Sequence, residues 1–343
     1  MITENTSAFS AKDLVTDQEV RWCPGCGDYS ILKQVQSVIP ELGLKREDIV
    51  FVSGIGCSSR FPYYMETYGM HSIHGRATAI ATGLKIMRPE LSVWLVTGDG
   101  DALSIGGNHF IHLLRRNPDL NVLLFNNEIY GLTKGQYSPT SHEGQVTKST
   151  PYGSVDHPFN PAALSLGAGA TFIARSMDRD PIHLREILKA AHLHRGASVV
   201  EIYQNCNVFN DGAFEVFTEK ATKKLNTLFL EQGKPLVFGD RQQWGIRLDG
   251  LKPVRVDLEQ GEFGMHDLWM HDMFDHGKAH LLCGIFDDPT AEHGLPRPFG
   301  VFYQESRSCY EDLVNHQVKS VTESRGEGDL DALLRGKNTW QIL

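Results

Sequence analysis

The chain has 343 residues, 41% of them apolar and 22% charged, with a net charge of −9. That size suits one large α/β domain with an appendage, or two domains, and the composition calls for a substantial core. The acidic balance excludes a general affinity for nucleic acid, no apolar run is long enough to cross a membrane, and six cysteines are too few for a disulfide scaffold.

The opening stretch, MITENTSAFSAKD, has no charged start followed by an apolar segment. No secretory signal is expected, and a cytoplasmic location is the default. RWCPGCGDYS follows at 21–30 and carries Cys23 and Cys26. A lone C-x-x-C can hold zinc, carry a redox disulfide, contribute to an iron–sulfur cluster or do nothing chemical. The apolar run 48–54 predicts a buried strand that leads into SGIGCSSR and Cys57. HGRATAIATGLKIMRPE, ending near Pro89, predicts a helix that packs very closely on a neighbour. A second strand is expected over 91–100 and a third over 121–127. Between them, Leu103, Phe110, Leu113 and Leu114 approximate one face of a helix closed by Arg115 and Arg116. Strand, helix and strand make a β–α–β unit with parallel neighbours. Residues 128–161 are rich in glycine, proline and hydroxyls and predict a long irregular segment, which in a compact domain is functional or disordered. A fourth strand over 197–206 ends at Cys206. Beyond 210 the pattern weakens, which predicts a C-terminal extension over 211–343 attached to a principal domain over 1–210.

Chemistry gathers where the second and third strands end. Gly98 and Gly100 let the backbone turn sharply and approach a ligand, and a helix beginning there offers free N–H groups to a phosphate. Asp99 can take a hard cation. Asn126 and Asn127 end the neighbouring strand, Asn127 lying 28 residues after Asp99. A carboxylate, an amide oxygen, a backbone carbonyl and diphosphate oxygens would together make an octahedral Mg²⁺ site. Either piece alone is more simply a turn or a strand cap; the pair at two ends of one β–α–β unit favours the functional reading.

This stretch resembles the thiamine diphosphate signature, G-D-G followed by N-N. The resemblance implies Mg²⁺ held by Asp99, Asn127 and the carbonyl of Ile129. It places Gly98, Gly100, Asp101, Gly131, Leu132 and the Thr133 hydroxyl in the cofactor-binding set. Ligands of open parallel sheets collect beyond the carboxyl ends of strands. Cys57 and Cys206 each follow a predicted strand, so Cys23, Cys26, Cys57 and Cys206 form a plausible four-thiolate set. Cys283 reads as core, and Cys309 stands alone in a charged segment. Four thiolates suit zinc or a [4Fe–4S] cluster, and a cofactor that stabilises a carbanion gives a cluster a purpose as electron acceptor.

The combination of C-x-x-C-G, G-I-G-C-S, H-G-R, the thiamine signature and a late single cysteine spans most of residues 20–210. It resembles the β subunit of 2-oxoacid:ferredoxin oxidoreductases, to which the C-terminal part is similar only loosely. The resemblance implies a doubly wound, mostly parallel α/β fold of the thiamine-diphosphate-binding type. It assigns the four cysteines to one [4Fe–4S] cluster and puts Ile55, Gly56, Cys57, Ser58 and His74 near the thiazolium ring. It carries Asp28 onto an acidic position near the cofactor, where the family more commonly has Glu. For Asp28 a turn residue, and for His74 a satisfied polar group, are equal alternatives to a direct catalytic role. In GLTKGQ, Leu132 replaces an amide and Lys134 a glycine of the pyruvate-specific relatives. A lysine there could pair with the second carboxylate of 2-oxoglutarate, and the segment looks most like the 2-oxoglutarate branch; a solvated loop lysine is the bland alternative. His266, His271, His276 and His280 read as a polar surface segment without metal, because only the last two are spaced to share a helical face.

The implied activity is CoA-dependent oxidative decarboxylation of 2-oxoglutarate, with electrons leaving through the cluster to ferredoxin, or the reverse carboxylation. Pyruvate or broad specificity is the alternative. A non-oxidative thiamine decarboxylase or carboligase, or an assembly module with structural zinc, is more remote. The family takes the carboxylate that activates the aminopyrimidine from its α (or α–γ) subunit, so an (αβ)2 assembly is expected, with no nucleic-acid or membrane partner.

Overall fold

The computed structural model describes residues 9–340 and 342. Most of the N-terminal stretch read above for a secretory signal, residues 1–8, lies outside them.

The principal sheet contains β1 (Ile49–Ser53), β2 (Tyr68–His71), β3 (Ser92–Gly98) and β4 (Leu120–Asn126). A short hairpin follows, β5 (Ile129–Tyr130) with β6 (Gln136–Tyr137), and then the sheet strands β7 (Phe172–Met177), β8 (Ala197–Tyr203) and β9 (Thr227–Phe229). A separate antiparallel sheet is made by β10 (Val237–Phe238), β11 (Trp244–Asp249) and β12 (Lys252–Asp257), and β13 (Arg297–Gln304) returns to the principal sheet. The eight strands run in the order β2-β1-β3-β4-β8-β7-β13-β9, all neighbours parallel except β7 and β13. Strands from beyond residue 210 thus pair directly with those before it.

Strands read as continuous apolar runs because both faces of the sheet are covered. On β3, Val93 and Leu95 enter one core while Trp94 and Val96 enter the other. On β4, Val122 and Leu124 alternate with Leu123 and Phe125 in the same way. One face carries α2 (Ala77–Met87), α4 (Gly107–Arg116) and α5 (Pro161–Gly167); the other carries α1 (Asp28–Val38) and α6 (Pro181–Leu193). α6 begins on a side-chain cap, Asp180 accepting from the His183 N–H, with Pro181 at its first position.

The helix expected between the second and third strands is two helices. α3 (Asp99–Leu103) stops, the chain turns through Ser104–Gly106, and α4 starts at Gly107. The cause is a close backbone approach. A Cβ at Gly106 would lie 2.4 Å from the Asp101 carbonyl, and one at Gly75 would lie 2.5 Å from Gly106 Cα. The tight contact expected of the 74–90 helix is therefore made by the turn before α2. Leu103, Phe110, Leu113 and Leu114 are buried as the pattern requires.

Candidate functional site

Parallel strands deliver their carboxyl ends to one edge. β3 and β4 pair with Gly98 opposite Phe125, so Asp99 and Asn127 follow adjacent strand ends. Both line a cavity of about 410 Å³. The predicted segments 55–58, 98–101 and 131–133 line it too, with His74 and Ile129. Glycine at position 100 is required: a Cβ there would lie 2.2 Å from the Tyr130 ring, whose hydroxyl donates to the Gly100 carbonyl at 3.0 Å.

Asp99 is 2% exposed, and burial pushes its carboxyl up to about 6. Its Oδ2 accepts from the Ser138 hydroxyl at 2.5 Å and from the Thr140 hydroxyl at 2.6 Å. Both donors are neutral, so among the described residues no cationic side chain pairs with this buried carboxylate on the cavity. Asn127 donates from Nδ2 to Gln204 Oε1 at 2.9 Å, while its Oδ1 accepts from the Ile129 N–H at 3.2 Å. This donor set, a carboxylate, an amide oxygen and a nearby main-chain carbonyl, fits a hard cation. Asp101 is committed to the fold: Oδ1 accepts from the Gly75 N–H at 2.8 Å and Oδ2 from the Thr97 hydroxyl at 3.0 Å, which holds the His74 turn over the cavity.

The cysteine segments are stitched together. The Trp22 indole donates to the Cys57 carbonyl at 2.7 Å, the Gly27 N–H to the Asn205 carbonyl at 3.1 Å, and Asn207 Nδ2 to the Pro24 carbonyl at 2.6 Å. Cys57 lines the cavity, and Gly131 lies beside the thiols: a Cβ there would stand 3.4 Å from Cys57 Sγ and 3.5 Å from Cys206 Sγ. Burial pushes the Cys57 thiol up to about 12, helped by Asp28 and Cys206, and burial with Asp28 pushes Cys26 up as well. Thiols this hard to ionise need a cationic centre to become ligands, and such a centre is what a metal cluster supplies. Among the described residues no group of three or more His, Cys, Asp or Glu side chains is gathered closely enough to hold a metal ion. Cys283 and Cys309 are buried elsewhere, in the helix His276–Cys283 and at the cap of the helix Tyr310–Arg325.

Asp28 and Lys134 do not line the cavity. Asp28 is fully buried at the start of α1, and among the described residues its carboxylate oxygens have no hydrogen-bond partner beyond the nearby Cys26 thiol. Burial, then the facing Asp178, pushes it up to about 7. It belongs to the surroundings of the cysteines. Lys134 is exposed, in a turn at φ +77°. His271, expected on the surface, is 2% exposed because its Nε2 bonds the Val301 carbonyl of β13 at 2.9 Å.

Sequence reasoning did not single out Ile105, Phe125, Tyr130 or Gln136 as lining residues, nor Ser138, Thr140 and Gln204 behind them. The hydroxyls lie in the irregular segment flagged as functional, where no periodicity marks individual positions. Gln204 lies near the end of the predicted fourth strand, the one signal that could have found it.

Residues 54–202 match the thiamine pyrophosphate enzyme C-terminal TPP-binding domain. The chain is 52% identical over 338 residues, 96% of its length and 88% of the relative's, to the 2-oxoglutarate oxidoreductase subunit KorB of Mycobacterium tuberculosis. It is 49% identical over 190 residues, 55% of its own length and 60% of the relative's, to the β subunit of 2-oxoacid:ferredoxin oxidoreductase 1 of Aeropyrum pernix. Among solved structures it is similar to the 2-oxoglutarate:ferredoxin oxidoreductase from Magnetococcus marinus, with 2-oxoglutarate, coenzyme A and succinyl-CoA bound. That match has a TM-score of 0.74 and 31% identity and covers 96% of each chain.

Proposed function

The chain belongs to the β subunits of the 2-oxoacid:ferredoxin oxidoreductases, and from that premise we propose that it serves 2-oxoglutarate. The reaction is CoA-dependent oxidative decarboxylation to succinyl-CoA and CO2, with electrons passed to ferredoxin, or its reverse. The observation that carries the reading is the dual position of Cys57, which lines the cavity of Asp99 and Asn127 and stands with Cys206 beside Gly131.

Asp99, Asn127 and the Ile129 carbonyl would hold Mg²⁺. Gly98, Gly100, Asp101, Gly131, Leu132 and Thr133 would seat thiamine diphosphate, with 55–58 and His74 beside its ring. Cys23, Cys26, Cys57 and Cys206 would hold one [4Fe–4S] cluster. When bound, the thiamine supplies the electron sink for decarboxylation and the cluster accepts electrons singly. The protein's own part is positional. Tyr130 and Gly100 shape the floor, Asp101 holds the turn that presents His74, and Leu132 and Ile105 add apolar wall that limits water. Lys134, outside the lining, is close enough in sequence to Thr133 to meet a distal substrate carboxylate. Its exposure supports a second reading, in which the enzyme accepts several 2-oxoacids.

The test is anaerobic co-purification with the α subunit. Iron with acid-labile sulfide, and ferredoxin reduction that requires CoA and is faster with 2-oxoglutarate than with pyruvate, is the expected result. Zinc without sulfide, or turnover by the isolated chain, would defeat the reading. In the same assay Lys134→Gly, at a backbone angle glycine adopts freely, is expected to reduce the rate on 2-oxoglutarate more than on pyruvate.

A further inference from the structure

Gln204 follows β8, is 1% exposed, and belongs to neither the cavity lining nor the cysteine set. Its backbone N–H donates to the Asn126 carbonyl at 2.9 Å, which extends the pairing of β4 with β8 by one residue and fixes where the side chain starts. The amide is fully engaged. Oε1 accepts from Asn127 Nδ2 at 2.9 Å; Nε2 donates to Cys26 Sγ at 3.3 Å and to the Asn205 carbonyl at 2.5 Å. A primary amide has two N–H donors, and both are used. Rotating it by half a turn would face N–H against N–H at Asn127 and oxygen against a carbonyl at Asn205, so one orientation is selected. That orientation sets its neighbour: with Asn127 Nδ2 occupied by Gln204, Asn127 Oδ1 is turned to the Ile129 side.

We propose that Gln204 is a positioning residue that ties the cation site to the cysteine set, orienting Asn127 with its oxygen and donating a hydrogen bond to the Cys26 sulfur with its nitrogen. The proposal rests on the cluster and Mg²⁺ reading given above. Hydrogen bonds to ligating sulfurs favour the reduced, more negative state of a cluster and raise its potential. Partners that orient a metal's ligands typically change its affinity by 10- to 100-fold.

The experiment uses the complex with the α subunit, purified anaerobically and freed of thiamine diphosphate. The cluster's midpoint potential is read by EPR-monitored titration. The Mg²⁺ concentration giving half-maximal thiamine diphosphate binding is read by calorimetry. Gln204→Met removes all three side-chain bonds at similar volume. It is expected to shift the midpoint to a more negative value and to raise the Mg²⁺ requirement about tenfold. Gln204→Glu keeps an acceptor for Asn127 but loses both N–H donors and adds a charge beside Cys26, so it should shift the potential at least as far in the negative direction while leaving the Mg²⁺ requirement near that of the parent. An unchanged potential in either variant, or an unchanged Mg²⁺ requirement in Gln204→Met, overturns the proposal. Should Gln204→Met fail to assemble, Gln204→Leu, which also removes the N–H donors without adding charge, decides the sulfur bond. A parent complex with no [4Fe–4S] signal, or with Mg²⁺-independent binding, would instead defeat the functional reading.

Discussion

Asp99 is the side chain on which the proposed Mg²⁺ site turns. Two hydroxyls converge on Oδ2, so that oxygen is satisfied by the protein. Thr140 also lies 2.9 Å from Asn126 Oδ1, but a hydroxyl has one proton, and the shorter bond to the charged acceptor takes it. Thr140→Val keeps the shape and removes the proton. A hydrogen bond to a charged group contributes about 1.5–3 kcal/mol. If roughly half of that is felt by the cation, the Mg²⁺ needed for half-maximal thiamine diphosphate binding rises about 4- to 12-fold. Thr140→Ser should restore the parent value in the same titration. A valine variant with an unchanged Mg²⁺ requirement would show that Ser138 alone orients the carboxylate.

Among the elements, the contact between the turn before α2 and the break between α3 and α4 decides whether His74 reaches the cavity. Gly75 sits at φ +64° with Gly106 against it. Gly75→Ala therefore meets both a strained backbone angle and a clash with main-chain atoms that cannot swing away. We expect a loss of about 2–4 kcal/mol in denaturant unfolding, with weaker cofactor binding in whatever remains folded. The same contact explains what the sequence could and could not tell. β1, β3, β4 and β8 were legible because a strand covered on both faces is mostly apolar, and their shared direction put Cys57, Asp99, Asn127 and Cys206 at one edge. β7 was not, because its short apolar run gives way to Arg175 and Ser176, whereas apolar residues flank Glu201 of β8 on both sides; Arg175 is buried by pairing with Glu201 at 2.7 Å. β2 was hidden by exposure of all four residues. The break after Leu103 is invisible to periodicity, since it comes from a distant glycine. The site was legible at strand ends and lost in the 128–161 segment, where Ser138 and Thr140 act through contacts that pattern does not encode.

For the molecule as a whole, the layer over β7 and β8 carries a pH dependence. α6 is fastened near both ends: His183 Nδ1 lies 2.8 Å from the Ser176 hydroxyl, and His194 Nε2 lies 2.8 Å from the Thr171 hydroxyl. The Thr171 proton goes to Asn117 Oδ1 at 2.6 Å, so His194 donates through Nε2 and would gain a proton at Nδ1. Burial is the leading cause that pushes both histidines down to about 4, against Asp180 at His183 and against Asp119 and Glu305 at His194; Lys223 reinforces the shift at His183. Unfolded histidine titrates near 6.5. Between about 6.5 and 4 the unfolded chain thus binds protons that the folded one refuses. The contribution of each histidine is complete above pH 6.5 and is lost as pH falls toward 4. Asp28 and Asp99 act in the opposite sense, because their raised carboxyls take up protons first in the folded state. A bare pH profile therefore mixes opposing terms, and a comparison of variants separates them. His194→Gln keeps a donor for Thr171 and cannot titrate. Its unfolding free energy, measured by denaturant at steps from pH 7.5 to 4.5, should fall less steeply below pH 6.5 than that of the parent. The difference approaches, at most, about 1.4 kcal/mol per pH unit for one proton. Parallel profiles would mean that His194 takes up its proton without leaving its place between α6 and β7.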